Sequence, residues 1–383
     1  MRRTAYLLLS LAVVSSLLLG GCSGSTDSTK APRTAATDAP NSATPTPVKH
    51  QPAAGKPMVA APAPKPAGNT VPLAVPNGAG TLKRAHFMSK ALGVEKEYMV
   101  YLPPGYDADK NARYPVIYYL HGLGGHEGNW PKLGLVKNAD ALKIGAIVIM
   151  PDGDDSFYAN AVSRWQPYER CLKQRRPFGA ERNMKHYCVR TPNYETYMTS
   201  DLIQHVDATY RTLGTRAGRG IAGLSMGGYG ALMLALRHKD LYAAAASHSG
   251  VDALLYKGPF PYVKGKVQLA TNIRAALKRL GFFGVLFRQV FGTELSNWQK
   301  HDPAFLAQSL KPGELALYLD CGTEDEFRLH NGMQYLHELL LAHNIEHTYY
   351  IGHGHHRAPF WRDRVDDSLR FFKKHLARPV TTR

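Results

Sequence analysis

Gly223-Leu224-Ser225-Met226-Gly227 is a G-x-S-x-G motif that lies between a short apolar run, residues 220–222, and a stretch rich in helix formers, residues 229–238. The pattern predicts a strand, a sharp turn at the serine and then a helix. Glycines on both sides relieve the crowding in such a turn. The turn would expose the Ser225 hydroxyl at the edge of a sheet and direct the first N–H groups of the helix toward an oxyanion formed there. The alternative is a glycine-serine loop that matches the motif by chance.

Further strand signals recur along the chain, with helical stretches between them. Strands are predicted at residues 96–102, 114–120, 146–150, 243–247, 315–319 and 346–351. The first reads as an early antiparallel strand, and the alternation of the others with helices predicts a mostly parallel sheet covered on both faces. In sheets of this class ligands bind outside the carboxyl ends of the strands. The loops that follow the strands are therefore where functional residues are expected.

Two of those loops carry the groups that a serine nucleophile needs. Serine reacts well only when a base takes its proton and a carboxylate orients that base. The loop after residues 315–319 carries carboxylates, which are Asp320, Glu324, Asp325 and Glu326. The loop after residues 346–351 carries histidines, which are His353, His355 and His356. The order serine, acid, histidine is the one expected for a serine hydrolase built on such a sheet.

The chain resembles the esterase D family of α/β-hydrolases, which includes S-formylglutathione hydrolases, feruloyl and acetylxylan esterases, and mycolyltransferases. The resemblance runs from about Tyr98 to Phe372. It rests on residues 114–125 (YPVIYYLHGLGG), on residues 201–210, on the motif around Ser225, and on the pattern D-x-G-x-x-D-x-F at residues 320–327. It implies an α/β-hydrolase fold with a mostly parallel central sheet, helices on both faces and a small cap insertion, and an enzyme that needs no cofactor.

The family patterns also select the acid and the base. The second aspartate of D-x-G-x-x-D-x-F is Asp325, and the pattern G-x-H-x-x-x-x-W, which ends at Trp361, selects His356. Ser225, Asp325 and His356 are therefore the expected catalytic residues. The other acids and histidines of the two loops stay open as alternatives, and so does a metal-binding reading of the histidine tract. Arg357-Ala358 departs from the family, in which a small polar residue and a tryptophan are frequent.

Two backbone N–H groups are expected to form the oxyanion hole. One belongs to Met226, directly after the nucleophile. The match of His121-Gly122-Leu123 to the corresponding family loop selects the N–H of Leu123 as the other. The alternative for this loop is a simple tight turn.

Residues 1–21 resemble a bacterial lipoprotein signal peptide. Met1-Arg2-Arg3 supply positive charge, residues 6–19 form an apolar run too short to span a bilayer, and Leu19-Gly20-Gly21-Cys22 matches a lipobox. The resemblance implies that Cys22 carries the lipid, palmitate included, at the mature N-terminus. The expected location is then extracytoplasmic, in the cell envelope, and Ser23 favours the outer membrane if the cell has one. The alternative is an ordinary cleaved signal with an incidental cysteine.

Composition divides the remaining chain into two parts. Residues 22–72 are rich in Pro, Ala, Ser and Thr and cannot bury enough apolar surface to offset their chain entropy, so a disordered tether is predicted. Residues 73–383 are long enough for one large α/β domain. Lys plus Arg number 47 against 30 Asp plus Glu, a formal net charge of +17. Such a charge favours anionic surfaces, but an exported protein without a nucleic-acid-binding motif is not expected to bind nucleic acid.

Two segments are expected to shape specificity. Residues 164–190 form a basic insertion in which a Cys171–Cys188 disulfide is plausible in an oxidising compartment, while Cys321 reads as a buried free thiol. The insertion is either a solvated basic loop or a clamp for an anionic substrate. Residues 267–291 stand where a cap is usual, and their apolar stripe more often faces a core than an acyl chain. The stripe consists of Leu269, Ile273, Ala276, Leu277 and Leu280.

These features predict a lipid-anchored serine esterase that works through an acyl-enzyme. Its expected partners are the membrane, through the lipid, and an ester substrate, for which anionic and carbohydrate-linked compounds are candidate classes. The alternative activity is transfer of the acyl group to a sugar or lipid hydroxyl, as in mycolyltransferases. An inactive binding module would lack a member of the catalytic set, and each member has a candidate here. The acyl group, the alcohol and the oligomeric state stay open.

Overall fold

Eight strands form the central sheet of the computed structural model, which describes residues 70–163, 167–173 and 184–382. The strands among these residues are β1 (Thr70–Pro72), β2 (Thr81–Ser89), β3 (Val94–Leu102), β4 (Val116–Leu120), β5 (Ile147–Pro151), β6 (Arg219–Leu224), β7 (Ala244–His248), β8 (Tyr256–Gly258), β9 (Gln268–Leu269), β10 (Ala316–Gly322), β11 (His347–Gly352) and β12 (Val380–Thr382). The order in the large sheet is β11-β10-β7-β6-β4-β5-β3-β2. The β2–β3 and β3–β5 pairs are antiparallel and the remaining pairs are parallel.

Helices connect the strands. Those in the described residues are α1 (Asn129–Lys132), α2 (Leu135–Ala141), α3 (Tyr168–Leu172), α4 (Met184–Tyr187), α5 (Tyr194–Thr196), α6 (Leu202–Thr209), α7 (Met226–Arg237), α8 (Ile273–Arg279), α9 (Gly281–Phe291), α10 (Leu295–Gln299), α11 (Pro303–Ala307), α12 (Leu329–Ala342) and α13 (Ala358–His375). A π-helical turn, Tyr197–Asp201, joins α5 to α6, and a 3₁₀ turn, Arg216–Gly218, precedes β6. Within the described ranges, no helix combines the length and the apolar character needed to cross a bilayer.

Helices cover both faces of the sheet. Tyr118 of β4 packs in a core that includes the side chains of α7, whereas the next residue, Tyr119, packs in a second core with α13. Successive strand side chains point to opposite faces, so a strand buried on both faces reads as a continuous apolar run. β4 and β5 are buried at every position. This is why the sequence alone reveals them.

Every predicted strand is present, with its ends shifted by at most three residues. The sequence does not predict β2, because most of its side chains are exposed. The strand is positioned by backbone pairing with β3 over nine residues. The sequence also assigns residues 70–72 to the tether. In the structure they form β1, which pairs with β12, so the folded domain begins before residue 73.

The sheet order brings four loops to one edge. Leu123 follows β4, Ser225 follows β6, Asp325 follows β10 and His356 follows β11. These four strands run parallel, with β7 between β6 and β10. Their carboxyl ends therefore point the same way, and the loops after them meet at that edge of the sheet.

Candidate active site

Ser225 occupies the turn between β6 and α7 in a strained backbone conformation. Its φ is 53° and its ψ is −117°, a region that residues with a side chain rarely adopt. Its own N–H donates a hydrogen bond of 2.8 Å to the carbonyl of His248 at the end of β7. Such strain persists only where the surroundings enforce it, and it is typical of functional sites.

The two glycines of the motif are required by close backbone approach. A Cβ on Gly223 would lie 2.2 Å from the carbonyl carbon and oxygen of Gly227, and one on Gly227 would lie 2.4 Å from the carbonyl oxygen of Leu120. Both obstacles are backbone atoms and cannot rotate away. The spacing G-x-S-x-G thus allows α7 to start against both β6 and β4, with the serine at the top of the turn.

His356 links Ser225 to Asp325. Its Nε2 lies 2.8 Å from Ser225 Oγ, and its Nδ1 lies 2.6 Å from Asp325 Oδ2. The side chain of His356 is 8% exposed and that of Asp325 is 0% exposed. The rings of Phe327 and Trp361 lie nearly perpendicular to the imidazole, with centroids 4.9 and 5.1 Å away. A carboxylate that accepts the Nδ1 proton leaves Nε2 free to accept the serine proton.

The Asp325 carboxylate is held by hydrogen bonds from its own loop. Oδ1 accepts the backbone N–H groups of Phe327 at 2.9 Å and Leu329 at 3.3 Å, and Oδ2 accepts the thiol of Cys321 at 3.5 Å. Cys321 is a free, buried cysteine, and burial raises the pKa of its thiol. The thiol therefore stays protonated and can serve as a donor. These contacts orient Oδ2 toward His356.

The neighbouring acids bind the backbone of the histidine loop instead. Glu324 accepts the N–H of Gly354 at 2.5 Å, which lowers the pKa of that carboxyl to about 2. Glu326 accepts the N–H of His356 at 2.9 Å and pairs with Arg357. The two glutamates therefore join the loop after β10, which carries Asp325, to the loop after β11, which carries His356, on either side of the Asp325–His356 contact.

The remaining candidates lie away from Ser225. The side chains of His353 and His355 are 88% and 52% exposed, and each contacts a glutamate of the acid loop. Asp320 is fully buried and accepts hydrogen bonds from His248 Nδ1 at 2.8 Å and from Tyr318 at 2.7 Å. In the described ranges, no three His, Cys, Asp or Glu side chains are placed to share a metal ion.

The residues expected to supply the N–H groups of the oxyanion hole lie at the same cavity as Ser225. Leu123 and Met226 both line the cavity that contains Ser225 and His356. Within the part of the chain that the structure describes, neither N–H donates a hydrogen bond. For Met226 this follows from its place as the first residue of α7, where N–H groups have no partner within the helix.

The loop that carries Leu123 is fixed by the loop after β5. Gly124 donates its N–H to Asp155 Oδ1 at 2.7 Å, and Gly153 donates its N–H to His121 Nε2 at 2.9 Å. The hydroxyl of Tyr158 donates to the carbonyl of His121 at 2.9 Å. The 121–124 loop is thus held by contacts on both sides of Leu123.

A cavity of about 1050 Å³ opens beside Ser225. Its interior is lined by three almost fully buried aromatic side chains, those of Phe157, Phe287 and Trp298. The segment predicted as a cap, which contains α8 and α9, supplies one wall through side chains that include Ala276, Leu280 and Phe283. The site combines an apolar cavity with a small number of convergent polar groups, as binding sites for organic ligands do.

Comparison with known proteins identifies the family. The Esterase family model matches residues 89–378, which is more than half of the chain. The chain belongs to the Esterase family. The predicted family resemblance is thereby confirmed.

Two relatives show how far the sequence similarity extends along the chain. Esterase Rv1288 of Mycobacterium tuberculosis is 32% identical over 171 residues, which cover 44% of this chain and 32% of that protein. The endo-1,4-beta-xylanase/feruloyl esterase of Xylanibacter ruminicola is 29% identical over 173 residues, which cover 43% of this chain and 20% of that protein. The chain thus spans about a third or less of the length of these relatives.

The solved structure of an S-formylglutathione hydrolase from Agrobacterium tumefaciens has the same fold. Its TM-score is 0.57 at 19% identity, over 78% of this chain and 96% of that one. The α/β-hydrolase fold that the sequence implies is confirmed.

The apolar stripe of the predicted cap, residues 267–291, has two different environments. Ile273 and Leu277 are buried in the core, whereas Ala276 and Leu280 line the cavity. Leu269 lies in β9, before the helix, and is exposed. The expectation that the stripe faces the core therefore holds for only part of it.

The basic insertion holds a disulfide and contacts the loop after β5. Cys171 and Cys188 are bonded, with their Cα atoms 5.7 Å apart. Tyr187 donates its hydroxyl to Asp155 Oδ2 at 3.2 Å, so the insertion reaches the residue that holds Gly124. The insertion contains eight Arg and Lys residues. Four of them lie outside the described residues, as does Cys22; the four are Arg164, Arg175, Arg176 and Arg182. The described four do not line the cavity: Arg170, Lys173, Lys185 and Arg190.

Sequence reasoning missed two aspartates near the site. Asp155 belongs to Asp152-Gly153-Asp154-Asp155, an acidic cluster directly after a predicted strand, and that cluster was the available signal. Asp252 lines the cavity but is buried; its Oδ1 accepts the hydroxyl of Ser247 at 2.8 Å. Burial raises the pKa of Asp252 to about 7. Nothing in the local sequence indicates that this carboxyl is buried.

Proposed function

We propose that the protein is a carboxylic ester hydrolase in which Ser225 is the nucleophile, His356 the general base and acid, and Asp325 the residue that orients the histidine. The observation that carries this proposal is the continuous chain of contacts from Ser225 Oγ through His356 to Asp325, at 2.8 and 2.6 Å. Both distances allow direct proton transfer or hydrogen bonding. Membership of the Esterase family supports the same chemistry.

The first half-reaction forms an acyl-enzyme. Ser225 Oγ bonds to the ester carbonyl carbon while its proton passes to His356 Nε2, and the carbonyl oxygen becomes an oxyanion that the N–H groups of Leu123 and Met226 bind. The bond from the carbonyl carbon to the alcohol oxygen then breaks. His356 gives its proton to that oxygen, and the alcohol leaves.

The second half-reaction regenerates the enzyme. Water attacks the acyl carbon as His356 Nε2 takes one of its protons, and the same oxyanion position is occupied again. The bond to Ser225 Oγ breaks, and His356 returns the proton to the serine. Asp325 stays ionised throughout and stabilises the imidazolium that forms in both steps. Loss of one oxyanion donor from such a site typically lowers kcat by about 10²- to 10³-fold.

The test is hydrolysis of 4-nitrophenyl acetate by the wild type and by Ser225→Ala. We expect the variant to lose at least about 10³-fold in kcat/KM, because only binding and the oxyanion donors remain. Ser309→Ala, at an exposed serine outside the cavity, is the matched control and should keep wild-type activity. Equal activity of Ser225→Ala and the control would reject the proposal.

A second candidate activity is transfer of the acyl group to a hydroxyl other than that of water. The size of the cavity favours it, since about 1050 Å³ is at the upper end for ligand pockets and leaves room for an acceptor beside the acyl-enzyme. The two activities are separated by incubating enzyme and ester with a sugar or a lipid alcohol and measuring free acid and acylated acceptor by mass spectrometry. Acylated acceptor in excess of free acid would establish a transferase.

We also propose that the protein is lipid-anchored at Cys22 in the cell envelope, and that residues 23–69 tether the domain. The lipobox supports the anchor, and the Cys171–Cys188 disulfide suits an oxidising compartment. The mature protein should enter the detergent phase on Triton X-114 partitioning, and Cys22→Ser should leave it in the aqueous phase. Identical partitioning of the two forms would remove the anchor from the proposal.

A further inference from the structure

Four basic side chains stand at the cavity that contains Ser225, and they come from separate parts of the chain. Lys132 ends α1, Lys257 lies in β8, Arg328 precedes α12, and Arg362 lies in the first turns of α13. All four are exposed. Within the described residues, none has a carboxylate oxygen within 4.0 Å. Four positive charges that have no carboxylate partner among the described residues therefore face the entrance of this cavity.

No exposed acid among the described cavity-lining residues balances these charges. Among the described residues that line the cavity, the one carboxyl group belongs to Asp252, which is buried and accepts the hydroxyl of Ser247. Burial raises the pKa of Asp252 to about 7, so at and below neutral pH much of it is uncharged. The entrance therefore carries a positive potential that favours an anion.

The interior of the cavity has the opposite character. Phe157, Phe287 and Trp298 line it, and none of them is more than 7% exposed. Such surface binds apolar groups because contact removes that surface from water. The cavity therefore suits a molecule with one apolar part and one anionic part.

The order of the reaction decides which part of an ester faces the entrance. The alcohol leaves first, while the acyl group stays bonded to Ser225. The alcohol therefore needs a path to solvent, which the exposed entrance provides. The acyl group can remain against the apolar interior until water releases it.

We propose that the substrates are esters that join an apolar acyl group to an alcohol bearing a negative charge, which Lys132, Lys257, Arg328 and Arg362 capture. The proposal rests on the esterase function proposed above. The charges act on binding and encounter, so kcat/KM carries the effect. That effect weakens as salt shortens the Debye length from about 10 Å at 0.1 M to about 3 Å at 1 M.

A pair of esters that differ by one carboxylate tests this. The anionic probe is 4-butanoyloxy-3-nitrobenzoate, and the neutral probe is 2-nitrophenyl butanoate; each rate is divided by the rate of alkaline hydrolysis of the same ester. A third probe, the 2-nitrophenyl monoester of succinic acid, carries the charge on the acyl side. We expect the wild type to prefer the first probe by about tenfold at low salt, and to lose that preference at 1 M salt.

The matched variants are Lys132→Glu/Lys257→Glu and the control Lys137→Glu/Lys266→Glu. Both make the same change in net charge, but the control lysines are exposed and do not line the cavity. Arg328 and Arg362 are left intact because they adjoin the loops that hold Asp325 and His356. The first variant should lose the preference for the anionic alcohol by about tenfold and keep the neutral rate within about twofold. The control should match the wild type.

Several results would overturn the inference. An equal loss on both esters, or the same loss in the control variant, would show that the cavity lysines have no specific role. A preference for the succinate probe over the benzoate probe would place the anion on the acyl side. Hydrolysis of the neutral ester without any preference would reject this inference and leave the esterase intact, whereas no hydrolysis of any probe would reject the proposed function itself.

Discussion

Asp325→Asn is the substitution that separates the proposed orienting acid from its neighbours. Asp325 Oδ1 accepts two backbone N–H groups, from Phe327 and Leu329, while Oδ2 accepts His356 Nδ1 at 2.6 Å. Asparagine keeps an oxygen for the backbone donors and places an NH₂ group against the imidazole. The loop should therefore stay in place, whereas alanine would leave buried N–H groups unpaired at a cost of about 1–3 kcal/mol each.

The effect on catalysis should be large. An amide N–H facing Nδ1 favours the tautomer that carries its proton on Nε2, and that nitrogen then cannot accept the proton of Ser225, 2.8 Å away. The equivalent change in a serine protease lowers kcat about 10⁴-fold, which corresponds to about 5.4 kcal/mol of activation free energy. We expect a loss of that order in kcat, with a melting temperature close to that of the wild type.

The assay is kcat for 4-nitrophenyl acetate, and Glu326→Gln is the matched control. Glu326 contacts the same loop but binds the His356 backbone rather than its ring, so its amide variant should lose less than about tenfold. If Asp325→Asn kept more than a tenth of wild-type kcat, or if Glu326→Gln lost as much as Asp325→Asn, the assignment of the acid would be wrong.

Three further substitutions test the supports of the site. Asp155→Ala removes the acceptor of the Gly124 N–H and thereby loosens the loop that carries a predicted oxyanion donor, Leu123. We expect kcat to fall by about tenfold or more with little change in KM. A change confined to KM would contradict that role. Asp252→Asn keeps an acceptor for Ser247 and removes a carboxyl whose pKa is raised by burial to about 7. Since the unfolded chain releases that proton at lower pH, wild-type stability should fall as pH rises from about 4 to 7. The melting temperature of Asp252→Asn should therefore gain on the wild type between pH 4.5 and pH 8, and an equal difference at both pH values would refute this. Gly227→Ala would place a Cβ 2.4 Å from a β4 carbonyl oxygen. The variant should be inactive, and its free energy of unfolding in urea should be lower than that of the wild type by several kcal/mol. Wild-type stability would show that the turn can relax.

The fold was largely predictable because its central strands are buried on both faces. β4 and β5 contain no charged side chain, and the G-x-S-x-G spacing marks a turn whose glycines are required by backbone contacts. β2 escaped prediction since an exposed edge strand has no apolar run. Its position depends on pairing with β3 rather than on its own composition.

The candidate site was predictable in part. Acids and histidines are adjacent in sequence at residues 324–326 and 353–356, so spacing alone cannot choose among them, and a family resemblance was needed. The structure separates them by direction: Asp325 and His356 point inward while their neighbours bind the loops. The positions of Asp155 and of the cavity lysines at the site depend on contacts between segments far apart in the chain, such as the hydrogen bond from Gly124 to Asp155. No local pattern encodes such contacts.

The most direct test of the central claim is to map the residue that a fluorophosphonate modifies. Such a reagent phosphonylates an activated serine, and peptide mass spectrometry locates the adduct. We predict one adduct on the wild type, on the peptide that contains Ser225, and none on Ser225→Ala. A wild-type protein that stays unmodified, or a Ser225→Ala variant that is labelled to the same extent, would contradict the account.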